Sequence, residues 1–399
     1  MLVTIGNMAF AQKGDRPFPQ HVHYTKGVIK PNHVSQKDLD NSVRSFYIQW
    51  KARYIGTDCS DGQYYVWFEK AGKQSVSEGQ GYGMVIVALM SGYDKKAKAT
   101  YDGLYRYYKA HPSKRSAQLM AWAQNKSCKD ISGDSATDGD MDIAYALLLA
   151  DKQWGSNGEI NYLSEAKAMI AAIIKQEINP KTYSILLGNS IEHDSKDYYD
   201  TRTSDFMPAN FREFKAATSN VIWDKVINKT YMLFNFMQAK YSPDAGLVPD
   251  FIQHINRKPV PAKPKYLESV FDGYYNYNAC RVPWRIATDY ILHGDQRSKT
   301  FTDKINTWIQ QTTSGNPDNI SAGYDLKGND LKGRNFEALS FIAPFAVSAM
   351  VDQKNQQWLN SVWNYLIGFK REDYDYYDNS IKMLDMIILS GNYWAPSKR

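Results

Sequence analysis

Ala136-Thr137-Asp138-Gly139-Asp140-Met141-Asp142-Ile143-Ala144-Tyr145-Ala146 opens an apolar run that continues to Ala150. Acids at 134, 138, 140 and 142 precede the run, so a helix begins here with several carboxylates crowded at its first turn. Like charges that close raise at least one carboxyl pKa. Some sixty residues earlier, Ser75-Val76-Ser77-Glu78-Gly79-Gln80-Gly81-Tyr82-Gly83-Met84 repeats the arrangement, with one acid among three glycines ahead of the apolar stretch to Met90. Glycines at such a turn would let a bulky ligand approach the backbone. Read alone, Glu78 would be a helix-capping acid, since helix starts favour the ionised form. A general acid must instead hold its proton near neutral pH. Burial among aromatics beside an ionised Asp138 would supply that, and two carboxyls with divergent pKa values mark acid and base roles.

The stretch from Ala136 to Trp154 resembles, along its whole length, the signature of glycoside hydrolase family 8, once called cellulase family D. Ser77 to Met84 resembles the proton-donor motif of the same family, and the two motifs occur in the family's order and separation. The resemblance implies an (α/α)6 barrel and an inverting mechanism, in which one carboxylic acid protonates the glycosidic oxygen while a carboxylate across the bond activates water. By this resemblance Glu78 is the acid. Asp138 matches the residue that holds the distorted sugar and keeps the Glu78 pKa high.

The third motif departs from the usual pattern. Many members place the catalytic base, an Asp, where this chain reads Tyr277-Asn278-Ala279-Cys280-Arg281-Val282-Pro283-Trp284-Arg285. Asn278 occupies that position, and an amide cannot take a proton from water at neutral pH. In the subset resembling bacterial chitosanases a Glu on an upstream loop takes over. The proline-rich segment from Pro259 to Asp272 holds one Glu, Glu268, which is the expected base, with Asp272 as the alternative. Asn189 resembles, in that subset, an asparagine that holds the attacking water, although a structural turn explains it better. Arg281 and Arg285, four residues apart, face Asp138 or Asp140 in this reading.

Apolar spacing predicts a capped helix after Ser35. Further helical runs fall at 78–91, 94–110, 139–154, 160–178, 207–217, 219–240, 278–294, 298–312, 336–351, 355–367 and 377–390. Twelve helices match six hairpins, although only the family resemblance implies that they close into an all-α barrel. The connections 55–77, 111–138, 179–206 and 241–277 would then form one cleft. Aromatic residues make up 14% of the chain, and the flat C–H faces of sugars pack on such rings. Tyr82, Trp122, Tyr274, Tyr275 and Trp284 lie nearest the motifs, and Tyr82, Trp122, Tyr274 and Trp284 join Asn189 and Asn278 as candidate substrate-binding residues.

At 399 residues the chain could divide, yet no Pro/Gly/Ser linker does so, and residues 12–399 read as one catalytic domain. Residues 1–11 end in Ala9-Phe10-Ala11, the small-x-small form of a signal-peptidase site, from which secretion is expected. Cys59 and Cys128 lie in polar turns and could pair in an exported protein, while Cys280 reads as a buried thiol. The net charge of +6 comes from scattered lysines rather than a basic stripe, so no nucleic-acid or membrane partner is expected. The acids gather near the motifs, at 134–142, 194–205 and 373–378. An acidic cleft would suit the glucosaminium groups of chitosan, and Asn278 with the loop Glu268, by resemblance to the chitosanase subset, makes a secreted, endo-acting, inverting chitosanase the leading reading. A β-1,4- or mixed-linkage endoglucanase of the same family is the alternative, and a base-less glycan-binding protein the non-enzymatic one. The spacing Asp138-x-Asp140-x-Asp142 lacks the Gly and Glu that complete a calcium loop, and no Cys/His pair has zinc spacing. No metal or cofactor is therefore expected, and a monomer acting on a polysaccharide is.

Overall fold

Twelve α-helices form the scaffold of the computed structural model, which describes residues 14–68, 70, 72–369 and 375–398. The leader-like residues 1–11 and Asp373 lie outside that set. In order the helices are α1 (Gln36–Tyr54), α2 (Ser77–Leu89), α3 (Ala97–Ala110), α4 (Thr137–Trp154), α5 (Tyr162–Gln176), α6 (Pro208–Thr218), α7 (Ile222–Tyr241), α8 (Val282–His293), α9 (Gln296–Thr312), α10 (Leu339–Ala349), α11 (Gln356–Gly368) and α12 (Tyr376–Leu389). Each coincides with a run expected from apolar spacing, including the cap on α1, where the Ser35 hydroxyl accepts the Asp38 N–H at 3.2 Å.

The even-numbered helices close a ring: α2 packs on α4, α4 on α6, α6 on α8, α8 on α10, α10 on α12, and α12 on α2. Each is backed by the odd-numbered helix that follows it, and α12 is backed by α1. This is the (α/α)6 barrel. The inner helix α10 is enclosed on all sides and is apolar all round, as Leu339-Ser340-Phe341-Ile342-Ala343-Pro344 illustrates, whereas the outer helix α1 keeps one polar face. Among the described residues no helix is long and apolar enough to cross a membrane.

The glycines of the first two motifs serve this packing, not the approach of a ligand. A Cβ on Gly81 would lie 2.7 Å from the Asp142 Cβ and 3.1 Å from the Gly139 carbonyl oxygen. One on Gly139 would lie 2.6 Å from the Ser77 carbonyl carbon and 2.8 Å from the Glu78 amide nitrogen. Real side chains do not approach that closely, so the two helices meet backbone to backbone only because both positions are glycine. The starts of α2 and α4, with Glu78 and Asp138, are thereby held side by side.

Two small antiparallel sheets brace the loops above this end of the barrel. In one, Ala123–Asn125 pairs with Lys73–Val76, which runs directly into α2, and with Asp130–Ser132, which leads towards α4. In the other, Phe251–Gln253 lies between Thr201–Arg202 and Val260–Pro261. Cys59 and Cys128, whose Cα atoms are 5.7 Å apart, form a disulfide that ties the loop before α2 to the loop before α4. Closing a loop of 69 residues in sequence removes entropy from the unfolded chain. The paired Cys59→Ser, Cys128→Ser variant should lose about 2–4 kcal/mol of unfolding free energy in urea titration. Unchanged stability would mean that the bond does not constrain the unfolded chain. Cys280 is buried and free, as its helical surroundings suggested.

Candidate active site

Glu78 is the one residue of α2 that reaches the surface, its side chain 16% exposed and otherwise enclosed, and its carboxylate opens onto a cleft of about 310 Å³. Phe68, Lys73, Trp122, Asp138, Arg202, Glu268, Asn278, Arg281, Tyr376 and Tyr377 are among its walls. These residues come from all four connections named above, together with the starts of α2, α4, α8 and α12.

At the centre lies the Arg281 guanidinium, only 1% exposed. Its Nη1 donates to Glu78 Oε2 at 2.6 Å, to Asp138 Oδ2 at 2.8 Å and to the Tyr82 hydroxyl at 3.2 Å. Its Nη2 donates to Ser204 Oγ and to Asn278 Oδ1, each at 2.9 Å. Arg202 stands alongside, with Nη1 3.7 Å from Asp138 and Nη2 4.0 Å from Glu268. Asp138 also accepts the Gly139 N–H at 2.9 Å.

These surroundings separate the two carboxyls. Burial penalises the Asp138 charge, but Arg281 and Arg202 outweigh it and hold Asp138 at about 2. Glu78 is pushed up to about 7, chiefly by burial, with the Asp138 charge adding and Arg281 and the Tyr376 hydroxyl opposing. The sum is one ionised carboxylate beside one acid that keeps its proton to near neutrality, the electrostatic requirement for a general acid.

Glu268 stands on the upstream loop with its side chain 46% exposed, and its Oε2 accepts the Asn278 Nδ2–H at 2.8 Å. An Asp at 278 would set two carboxylates against each other; the amide instead supplies a donor that fixes Glu268. Asp272 is placed differently. It is fully buried and its two oxygens accept the N–H groups of Leu267, Glu268 and Ser269 at 2.7, 3.0 and 2.7 Å. It folds the loop that presents Glu268 and is not among the cleft walls.

The remaining expected residues separate into two groups. Trp122 lines the cleft, with Lys73 Nζ 4.1 Å from its ring centroid, and its backbone bonds both the Ser77 N–H and the Asp134 carbonyl. Tyr82 and Trp284, 0% and 2% exposed, are packed inside the barrel 6.1 Å from each other and cannot stack a sugar. Tyr274 is exposed but away from the cleft walls. Asn189 is buried in a turn, accepting the Ser135 N–H at 2.9 Å and donating to Ser113 Oγ at 2.7 Å, so its amide is committed to backbone and loop rather than to a water. Arg285 pairs with Asp142, not Asp140. The cleft as a whole is not acidic either: Glu78, Asp138, Glu268 and Asp375 are matched by Lys70, Lys73, Arg202 and Arg281.

Several members of the site carried no legible signal. Tyr376, whose hydroxyl bonds Glu78 Oε1, lies 298 residues from it in sequence. Arg202 sits in an ordinary Thr-Arg-Thr stretch. Asp250 accepts the N–H groups of Asn276, Asn278 and Ala279 at 3.1, 3.1 and 2.7 Å, anchoring the turn that aims Asn278 and Arg281. An Asp before a strand and some thirty residues ahead of the third motif is the only hint of that role.

The family model for glycosyl hydrolases family 8 matches residues 17–391. A beta-glucanase of Niallia circulans is 47% identical over 396 residues, covering 99% of this chain and 95% of its own. An endoglucanase of Bacillus sp. strain KSM-330 is 42% identical, covering 99% and 85%. The apo structure of a beta-1,3-1,4-glucanase from Paenibacillus sp. X4 superposes with a TM-score of 0.92 at 48% identity, covering 95% of this chain and 99% of that one.

Proposed function

Because the chain belongs to glycosyl hydrolases family 8 and is a glycoside hydrolase, we propose that it is an endo-acting, inverting β-glucanase acting on β-1,4 or mixed β-1,3-1,4 linkages. Glu78 donates its proton to the glycosidic oxygen as the bond from that oxygen to C1 breaks. A water held by Glu268 gives up a proton to it and attacks C1 from the opposite face. Asp138, ionised beside Arg281, keeps the Glu78 proton in place and faces the sugar undergoing cleavage.

The observation that carries the choice of substrate is the charge of the cleft. Four acidic and four basic side chains line it, and with Glu78 protonated the balance tips to positive. A neutral glucan meets no penalty there, whereas glucosaminium groups would face Lys70, Lys73 and Arg202. The names of the relatives agree, and chitosan, which Asn278 and the loop Glu first suggested, becomes the second reading. The disulfide supports export to an oxidising compartment. All three carboxyls come from one chain, so the proposed chemistry needs no residue from a second copy.

The test is reducing-end release from lichenan, carboxymethylcellulose, chitosan and xylan side by side, with the anomer of the first product followed by NMR. Glucan-dominant release with α-configured new reducing ends is expected. Chitosan-dominant release would restore the second reading, and β-configured ends would overturn inversion.

A further inference from the structure

Outside the cleft, the first turn of α4 buries a second pair of carboxyls. Asp140 and Glu177 are both 0% exposed. Asp140 Oδ1 accepts the Met120 N–H at 2.9 Å, and Glu177 Oε1 accepts the Ser135 hydroxyl at 2.6 Å. The other oxygen of each, Asp140 Oδ2 and Glu177 Oε2, is buried without a donor, although the two carboxyl groups lie within hydrogen-bonding reach of one another. Two ionised carboxylates side by side here would repel each other with no cation facing them and both charges withdrawn from bulk solvent. One proton held between the two groups removes one of the charges and lets one carboxyl donate to the other.

We propose that Asp140 and Glu177 share a single proton and that this protonated pair is a positioning element for the active site. Its two hydrogen-bonded attachments show what it positions. Met120 lies two residues before Trp122, whose carbonyl holds the Ser77 N–H ahead of Glu78. Ser135 leads into Asp138 and is itself bonded by Asn189. The pair thus joins the Trp122 wall, the start of α4 and the end of α5 at one buried point.

The titratable groups facing the pair are Asp138 on α4 and Tyr108 on α3, whose hydroxyl is committed to the Gln118 carbonyl at 2.8 Å. Neither supplies a cation, and the Asp138 charge favours retention of the proton. Burial raises Asp140 to about 7, and burial together with Asp140 drives Glu177 far above the usual carboxylate range, the direction that a shared proton requires. Because the folded pair holds a proton that the unfolded chain releases near pH 4.3, its contribution to stability falls as pH rises above that value.

Glu177→Gln replaces the shared proton by a permanent Nε2–H donor, and Asp140→Asn does the same from the other side. Each single variant should fold, and its melting temperature should exceed that of the parent by a gap that widens between pH 5 and 9. The double variant sets two amide donors against each other and should melt below either single one. Glu177→Ala, which leaves Asp140 unpaired, should raise KM about tenfold with a smaller change in kcat, since the Trp122 wall loosens, and Glu177→Gln should restore KM. A Glu177→Gln melting profile parallel to the parent's, or a double variant as stable as the singles, would overturn proton sharing. An unchanged KM in Glu177→Ala would overturn the positioning role. The melting arm needs no substrate, so it stands or falls independently of the glucanase reading.

Discussion

Glu78→Gln is expected to lower kcat on the preferred glucan by roughly 10²- to 10⁴-fold, the usual contribution of a positioned general acid, with KM little changed. The amide keeps the size of the carboxyl, its one oxygen able to accept from Arg281 while its Nε2–H faces the Tyr376 hydroxyl, which can accept, but it has no acidic proton to give the leaving oxygen. The pH dependence supplies a sharper check. Glu78 is competent only while protonated, so parent activity should fall as pH rises through about 7. The residual activity of Glu78→Gln should lack that limb. Parent stability should fall with rising pH as well. The folded-state pKa of about 7 lies above the ordinary value of 4.5, so the folded form is favoured below pH 4.5 and loses that advantage as pH rises to about 7. At 1.36 kcal/mol per unit, the loss reaches about 3 kcal/mol. The variant, permanently neutral, escapes it and should melt higher than the parent at pH 8. An inactive variant that is also less stable at pH 8 would mean that Glu78 is an ordinary ion-pair partner of Arg281, not a proton held against its solution preference. Urea titration at pH 5 and pH 8 beside a pH–rate profile decides between them.

What could be read from the chain beforehand was what short stretches encode. Each helix announces itself through apolar spacing within some fifteen residues. Glu78 and Asp138 stand out because each shares a short motif with its helix start. Ring closure had to come from family resemblance, because it depends on which helix packs on which, and α12 meets α2 across almost the whole chain. The same distance hid Tyr376 and Arg202, which reach the cleft by tertiary packing and occupy unremarkable local sequence. Proximity in sequence also misled. Tyr82 and Trp284 flank the motifs but sit on the inward faces of α2 and α8, where a ring fills the barrel and meets no ligand. The glycines near Glu78 suggest clearance for substrate, yet the space they leave is filled by the protein itself, by α4 at Gly81, by Tyr376 at Gly79 and by Val66 at Gly83. Charge was misjudged for a related reason: the acids cluster in sequence, while the lysines and arginines that balance them in space are scattered along it.

Glu268→Gln and Asp272→Asn should fail in different ways, and the difference tests the division of labour on the upstream loop. If Glu268 takes the proton from water, its amide variant should lose roughly 10²- to 10⁴-fold in kcat while the protein melts as before. Its side chain is half in solvent, where it meets Asn278 and Arg202 and faces the Lys73 charge. Asp272 accepts three backbone N–H groups and the Ser269 hydroxyl. An amide there offers one acceptor oxygen and turns donors towards donors. Each unmatched buried group costs about 1–3 kcal/mol, so Asp272→Asn should lower stability and, by releasing the loop, blur the position of Glu268. Its activity loss should be accompanied by a drop in melting temperature, which Glu268→Gln would not show. Asn278 makes the two cases easier to separate, since its Nδ2–H can bond a Gln oxygen as well as a Glu one, leaving the loop seated when only the proton-accepting ability is removed. Full activity in Glu268→Gln would strike it out as the base and leave a water activated from another cleft carboxylate. Loss of activity in Asp272→Asn with an unchanged melting profile would give Asp272 a chemical role that its saturated hydrogen bonds do not suggest.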